Sequence, residues 1–199
     1  ERKEPKFAFD GSPGQDCYGH VPADGQCGLW SILVIVLSES EAKARRIGLE
    51  SLLGSEAKRL SQPLQSFMDH YLEDPPASSA AATPMFQASP AMLSAVREQV
   101  AERLPADSPR RREFADPAAW VTDIEPQAVS AMLERPVIVH DVANGGAKVT
   151  IVAHAAGPAV HLWHVAADPD RDGHHTLNHF QPIIKRACRS SAVALAVHT

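Results

Sequence analysis

Hydrophobic positions follow helical spacing from residue 27 to about residue 135 and strand-like runs after it. The first run, Cys27-Gly28-Leu29-Trp30-Ser31-Ile32-Leu33-Val34-Ile35-Val36-Leu37, is apolar on every side. By length it suits a buried strand or a buried helix. Gly28 and the β-branched Ile32, Val34, Ile35 and Val36 weigh against helix. Asp24, a good N-cap residue, and a second helical signal opening at Ser38 favour it, so a helix is expected.

Ser38-Glu39-Ser40-Glu41 reads as a capping box, leading into a helix with Ala42, Ile47, Leu49 and Leu53 on its apolar face and Gly54 at its end. Leu64, Phe67, Met68 and Tyr71 space a third helix, stopped by Asp74-Pro75-Pro76. Residues 77–84 are Ala/Ser-rich, carry no core signal and read as a surface loop. Ser89-Pro90 opens a helix bearing Met92, Leu93, Val96, Val100 and Leu104. Arg110-Arg111-Arg112 reads as a solvated loop. Thr122-Asp123-Ile124-Glu125 begins a helix with Ile124, Ala128, Ala131 and Met132 on one face, closed by Arg135-Pro136. Strand-like runs follow at 137–140, 149–153, 160–166 and 179–184, with Asn144-Gly145-Gly146 as a hairpin turn between the first two. Helices first and strands last predict an α+β fold, helices packed on a small, mostly antiparallel sheet. The expected division is an extended lead-in over 1–21, one domain over 22–185 and an extension over 186–199.

Composition narrows the function. The chain has 199 residues, 44% hydrophobic and 22% charged, which suits one domain with a sizeable core. Its net charge of −5 argues against a phosphate-tracking, nucleic-acid-binding surface. Three cysteines, Cys17, Cys27 and Cys188, are too few for a disulfide scaffold and point to a reducing compartment. The apolar stretch over 29–37 falls short of the ~20 residues that span a bilayer. The chain opens at Glu1, as expected for a piece of a longer parent.

The candidate chemistry begins at Asp24-Gly25-Gln26-Cys27-Gly28. A cysteine in the first helical turn has its sulfur at the positive end of the helix dipole, which favours thiolate and lowers its pKa from ~8.5. The flanking glycines let the backbone approach a substrate and aim N–H groups at an oxyanion. A buried structural cysteine beside a turn is the competing reading of this stretch alone.

Three segments in order give the chain a family likeness. Asp24-Gly25-Gln26-Cys27 is similar to an Asp-Gly-x-Cys nucleophile loop. Trp120, Ile124-Glu125 and Leu133-Glu134-Arg135-Pro136-Val137-Ile138-Val139 look like a Trp, a helix and an Arg-Pro-Ile-Ile-Val strand. Asn178-His179-Phe180 is similar to a His-Tyr that begins a final strand. In this the chain resembles the ovarian tumour (OTU) family of cysteine proteases, and the likeness spans about 160 residues. The resemblance implies a papain-like fold and hydrolysis of (iso)peptide bonds after the C-terminal glycine of ubiquitin or a ubiquitin-like protein. It implies Cys27 as nucleophile, His179 as general base and Asp24 as a site residue. The oxyanion would be held by backbone N–H groups of Asp24, Gly25, Gln26 and Cys27. No metal or organic cofactor is implied. The expected partner is ubiquitin or polyubiquitin, bound by a monomer, with no nucleic acid and no membrane segment. A polyprotein-processing protease of viral type and a catalytically silent ubiquitin-binding module are the alternatives.

Ten histidines require sorting. His161 and His164 lie three apart on one strand and face opposite ways. His174 and His175 lie in a polar loop, whereas His179 opens a strand and can relay a proton at neutral pH. The third member of a triad is open. Two residues after the base the family often has Asp or Asn, and this chain has Gln181, which supplies no charge. Asn178 faces the other side of a regular strand, and Asp24 either orients the base or shapes the loop. Asp168-Pro-Asp170-Arg-Asp172-Gly173 begins like a calcium-binding loop, but its twelfth position is His179 where Glu is required. Ala-, Arg- and Pro-rich composition suggests a bacterial effector secreted into a host cytoplasm.

Overall fold

The computed structural model describes residues 17–184 except 40, 75, 77, 89, 120, 122–123, 142–146, 152–157 and 167–177. These residues form an α+β fold in which helices pack on one mixed sheet. The helices are α1 (Cys27–Leu37), α2 (Ala42–Leu53), α3 (Ala57–Glu73), α4 (Ser79–Gln87), α5 (Pro90–Arg103), α6 (Pro109–Ala115) and α7 (Pro126–Leu133). The strands are β1 (Cys17–Tyr18), β2 (Val137–Asp141), β3 (Ala147–Ile151), β4 (Val160–Ala166) and β5 (Asn178–Ile184), ordered β1-β5-β4-β2-β3. Three of the four strand pairings are antiparallel; β2 with β4 is parallel.

All eleven residues of α1 are buried. The helix touches α2, α3 and α5 on one side and β4 and β5 on the other. Its four β-branched residues together cost about 2 kcal/mol of helix propensity. Burying each large side chain returns about 1.5–3 kcal/mol, so position in the core decides the conformation. Against expectation, α1 is capped by Gln26 rather than Asp24.

The helical half departs from the sequence reading in several places. Ser38 does not open a capping box on α2. It closes α1, its hydroxyl donating to the Ile35 carbonyl at 2.7 Å, and Glu39 pairs with Arg135 at 2.7 Å. On α2 the core side is Gly48, Leu52 and Leu53, while Ile47 is 46% exposed. Gly48 lies against Val36, where any Cβ would stand 2.7 Å from a methyl, so close helix approach sets this face. α3 buries Leu64, Phe67, Met68 and Tyr71 as the spacing predicts and ends at Asp74. Residues 79–84, expected to belong to a surface loop over 77–84, form α4 together with 85–87. Ser78 caps it by accepting the Ala81 N–H at 3.2 Å, and Ala82 and Phe86 are buried. The arginine cluster lies on α6, not in a loop, with Arg110 paired to Glu113 and to Glu125 and lying over the Phe114 ring. α7 starts at Pro126, after Glu125 at a φ of 50°, and Ala131 is exposed.

Strands stand at the four expected places, although the one expected over 149–153 is seen at 147–151 with 152–153 outside the described residues. β1 adds a short edge that pairs Cys17 with Ile184 and Tyr18 with Ile183. Asn144-Gly145-Gly146 and the 186–199 extension lie outside the described residues. Among the described residues no helix is long and apolar enough to cross a membrane.

Candidate active site

The loop before α1 is held by a buried polar framework. Gly25 turns the chain with a φ of 75°, a conformation glycine adopts without strain. The Asp24 carboxylate accepts the Gln26 N–H at 3.0 Å. The Gln26 amide donates to the Ala119 carbonyl at 3.1 Å, and its oxygen accepts from Arg97 at 2.6 Å. Arg97 is 2% exposed and also donates to the carbonyls of Phe114 and Ala119, each at 3.1 Å, and to those of Glu113 and Asp116. Val121 N–H donates to the Gly25 carbonyl at 3.1 Å. One buried guanidinium thus ties α5 and the 113–121 segment to the residue preceding Cys27.

Cys27, 4% exposed, begins α1 with its sulfur against β5. β1 pairs with only the last two residues of β5, which leaves the start of β5 as an edge. There the Phe180 N–H donates to Cys27 Sγ at 3.3 Å. Gly28 makes the approach possible, because a Cβ on it would stand 1.9 Å from Ile124 and 3.3 Å from the Phe180 ring. The amide that meets the sulfur belongs to the residue after His179, so residues far apart in sequence share one site.

Nε2 of His179 lies 3.0 Å from the Ser79 hydroxyl, and its Nδ1 is buried without a hydrogen-bond partner. Gln181 does not orient this ring; its amide lies 3.4 Å from Nδ1 of His20. Asp24 is occupied with the loop. Of the four N–H groups expected to serve the oxyanion, that of Gln26 is already taken by this carboxylate. The Asn178 side chain lies outside the described residues, as do Trp120, His174, His175, Cys188 and 168–173. His164 stacks on Phe180 at 4.8 Å, while His161 meets His140 at 3.1 Å on the other face of the sheet, so the two do point opposite ways.

The electrostatics correct one expectation. The Cys27 thiol has its pKa raised, chiefly by burial and also by the Asp24 charge. The N–H groups of Phe180, Gly28 and Cys27 pull it down, but dehydration outweighs them. Burial also lowers the pKa of His179, as do the neighbouring His20 and His164. Asp24 is raised by burial. The Gln26 N–H opposes that, as does the Trp30 indole, although the indole stops short of a hydrogen bond. Burial therefore favours the neutral form of both the Cys27 thiol and the His179 imidazole, against the lowered thiol pKa expected from the helix terminus.

No family model matches the chain, and no curated protein matches it.

Two residues that build the site escaped the sequence reading. Arg97 sits within the apolar stripe of α5, four after Leu93 and three before Val100, and a cation at a core position was the available signal. Ser79 follows a capping serine, and the aromatic Phe86 seven residues later marks a buried face.

Proposed function

We propose that this chain is an OTU-like cysteine protease that hydrolyses the bond after the C-terminal glycine of ubiquitin or a ubiquitin-like protein. The observation that carries the proposal is the Phe180 N–H on Cys27 Sγ, which brings the cysteine of the Asp-Gly-x-Cys loop to the backbone of the residue after His179 in the last strand. Cys27 loses its proton to His179 as sulfur attacks the scissile carbonyl. The tetrahedral oxyanion lies against backbone N–H groups of the nucleophile loop, those of Gly25 and Cys27 rather than Gln26. Collapse expels the amine, which takes the proton from His179 and leaves a thioester on Cys27. Water then attacks the thioester, His179 accepts its proton, and the thiol and a free carboxylate are restored. Burial favours the neutral thiol and the neutral imidazole, so in the proposed reaction proton transfer accompanies attack. Ubiquitin as substrate fits a bacterial effector acting in a eukaryotic cytosol.

A ubiquitin probe with a C-terminal electrophile tests the proposal. A thioether at Cys27, absent in Cys27→Ala, is the expected result. Binding without an adduct would identify a silent ubiquitin module. Cleavage of a junction in the parent chain, with diubiquitin untouched, would identify a polyprotein protease.

A further inference from the structure

We infer that Ser79 is the positioning residue of the base, accepting the Nε2–H of His179 and leaving Nδ1 as its basic nitrogen. The inference rests on the Cys27–His179 pairing of the proposed protease. Three features of the structure support it.

The first is the division of labour between adjacent serines. Ser78 satisfies the end of α4 by accepting the Ala81 N–H. The Ser79 hydroxyl is not needed for capping and lies 3.0 Å from Nε2. Its backbone carbonyl accepts the Thr83 hydroxyl at 3.0 Å, which steadies the same turn.

The second is the anchoring of α4 against the nucleophile helix. Phe86 is fully buried, edge-on to Trp30 of α1 with ring centres 4.9 Å apart, and packs against Phe67 and Tyr71 of α3. Trp30 lies about one turn beyond Cys27. The hydroxyl that meets the base is thus held in register with the helix that carries the nucleophile.

The third is the state of the ring. Nδ1 is buried and makes no hydrogen bond, so a hydrogen on Nε2 is the arrangement that Ser79 can satisfy. The charged groups that act on the ring are His20 from the segment after β1 and His164 from β4, while the Cys27 thiol of α1 meets the backbone of the next residue, Phe180. Neither histidine supplies the negative charge that Asp supplies in a Ser-His-Asp triad. A neutral hydroxyl fixes the tautomer while stabilising imidazolium only weakly, so the proton returns readily to a leaving amine.

The experiment follows iodoacetamide alkylation of Cys27 against pH, read by mass spectrometry of the Cys27 peptide, with ¹⁵N shifts of the His179 ring. The full chain is used, with thermal unfolding as a check on folding. Loss of one hydrogen bond to the ring predicts alkylation about three- to tenfold slower at neutral pH in Ser79→Ala. Ser79→Thr, which keeps the hydroxyl, recovers the rate. Ser79→Asp places a carboxylate at Nε2, so His179 titrates at higher pH and alkylation is faster than in wild type. A protein in which Ser79→Ala and Ser79→Asp behave as wild type while His179→Ala is slow overturns the inference and leaves the protease reading standing. If His179→Ala alkylates normally, the pairing itself falls and the inference with it. The expected alkylation response of all four variants without any reaction toward the ubiquitin probe upholds Ser79 and rejects the substrate.

Discussion

The two halves of the candidate site are held very differently. The nucleophile end is fastened from inside the core: Arg97 grips Gln26, Gln26 grips Ala119, Asp24 folds the turn, and Gly28 lets α1 close on β5. The His179 end stands at the start of β5, before its pairing with β1 begins, half-buried, and meets one neutral hydroxyl from a short, partly exposed helix. Nucleophile geometry is therefore overdetermined, and the protonation and tautomer of the base are adjustable. On the proposed reading, a chain built this way keeps the Cys27 loop through most surface changes and tunes proton transfer from α4.

The sharpest test of the contrast removes each reactive group. Cys27→Ala lowers turnover of a ubiquitin substrate on the order of 10⁴-fold or more, with little change in unfolding midpoint, since only a sulfur is lost. Residual cleavage traced to Cys17 or Cys188 would break the assignment. His179→Ala is nearly as severe.

Arg97→Leu comes next and reads on stability before activity. It strips several buried carbonyls of their donor, each at about 1–3 kcal/mol, so urea unfolding shifts far toward low denaturant. An unchanged urea midpoint would show that the nucleophile end is not held by this framework. The contrast predicts a far smaller stability loss for Ser79→Ala.

Asp24→Asn separates loop shape from charge. The Asn oxygen still accepts the Gln26 N–H, so the turn persists. The negative charge that raises the Cys27 pKa is gone, so the alkylation profile of Cys27 moves to lower pH. If Asp24 were instead the orienting partner of His179, its loss would lower the pKa of the imidazole, and titration of the ring by NMR distinguishes the two.

Gln181→Ala has the smallest effect. Its amide reaches His20 rather than His179, so turnover changes within about twofold and stability within about 0.5 kcal/mol. A dead Gln181→Ala enzyme would return the orienting role to the position after Phe180.

The pattern of residues was enough for the α+β class, for α1, α3 and α5, and for the last strands, and it singled out Cys27 and His179 as the residues on which the proposed reaction rests. Long apolar periodicity and a strand-opening histidine are local signals, and burial reinforced them. It was not enough for α4, whose Ala/Ser-rich residues carry little apolar area of their own and whose place depends on Phe86 reaching Trp30. Nor could it choose Gly48 over Ile47 for the core side of α2, because that choice follows from how near Val36 lies. The two-residue β1 carries no side-chain pattern; it exists because β5 offers an edge. The pKa of Cys27 illustrates the same division. Sequence places the sulfur at a helix N-terminus, which by itself favours thiolate. Only the packed structure shows how much water is removed, and that dehydration outweighs the backbone N–H groups that favour thiolate. Local chemistry was written in adjacent residues, whereas the partners Arg97 and Ser79 come from chain segments that only folding brings alongside.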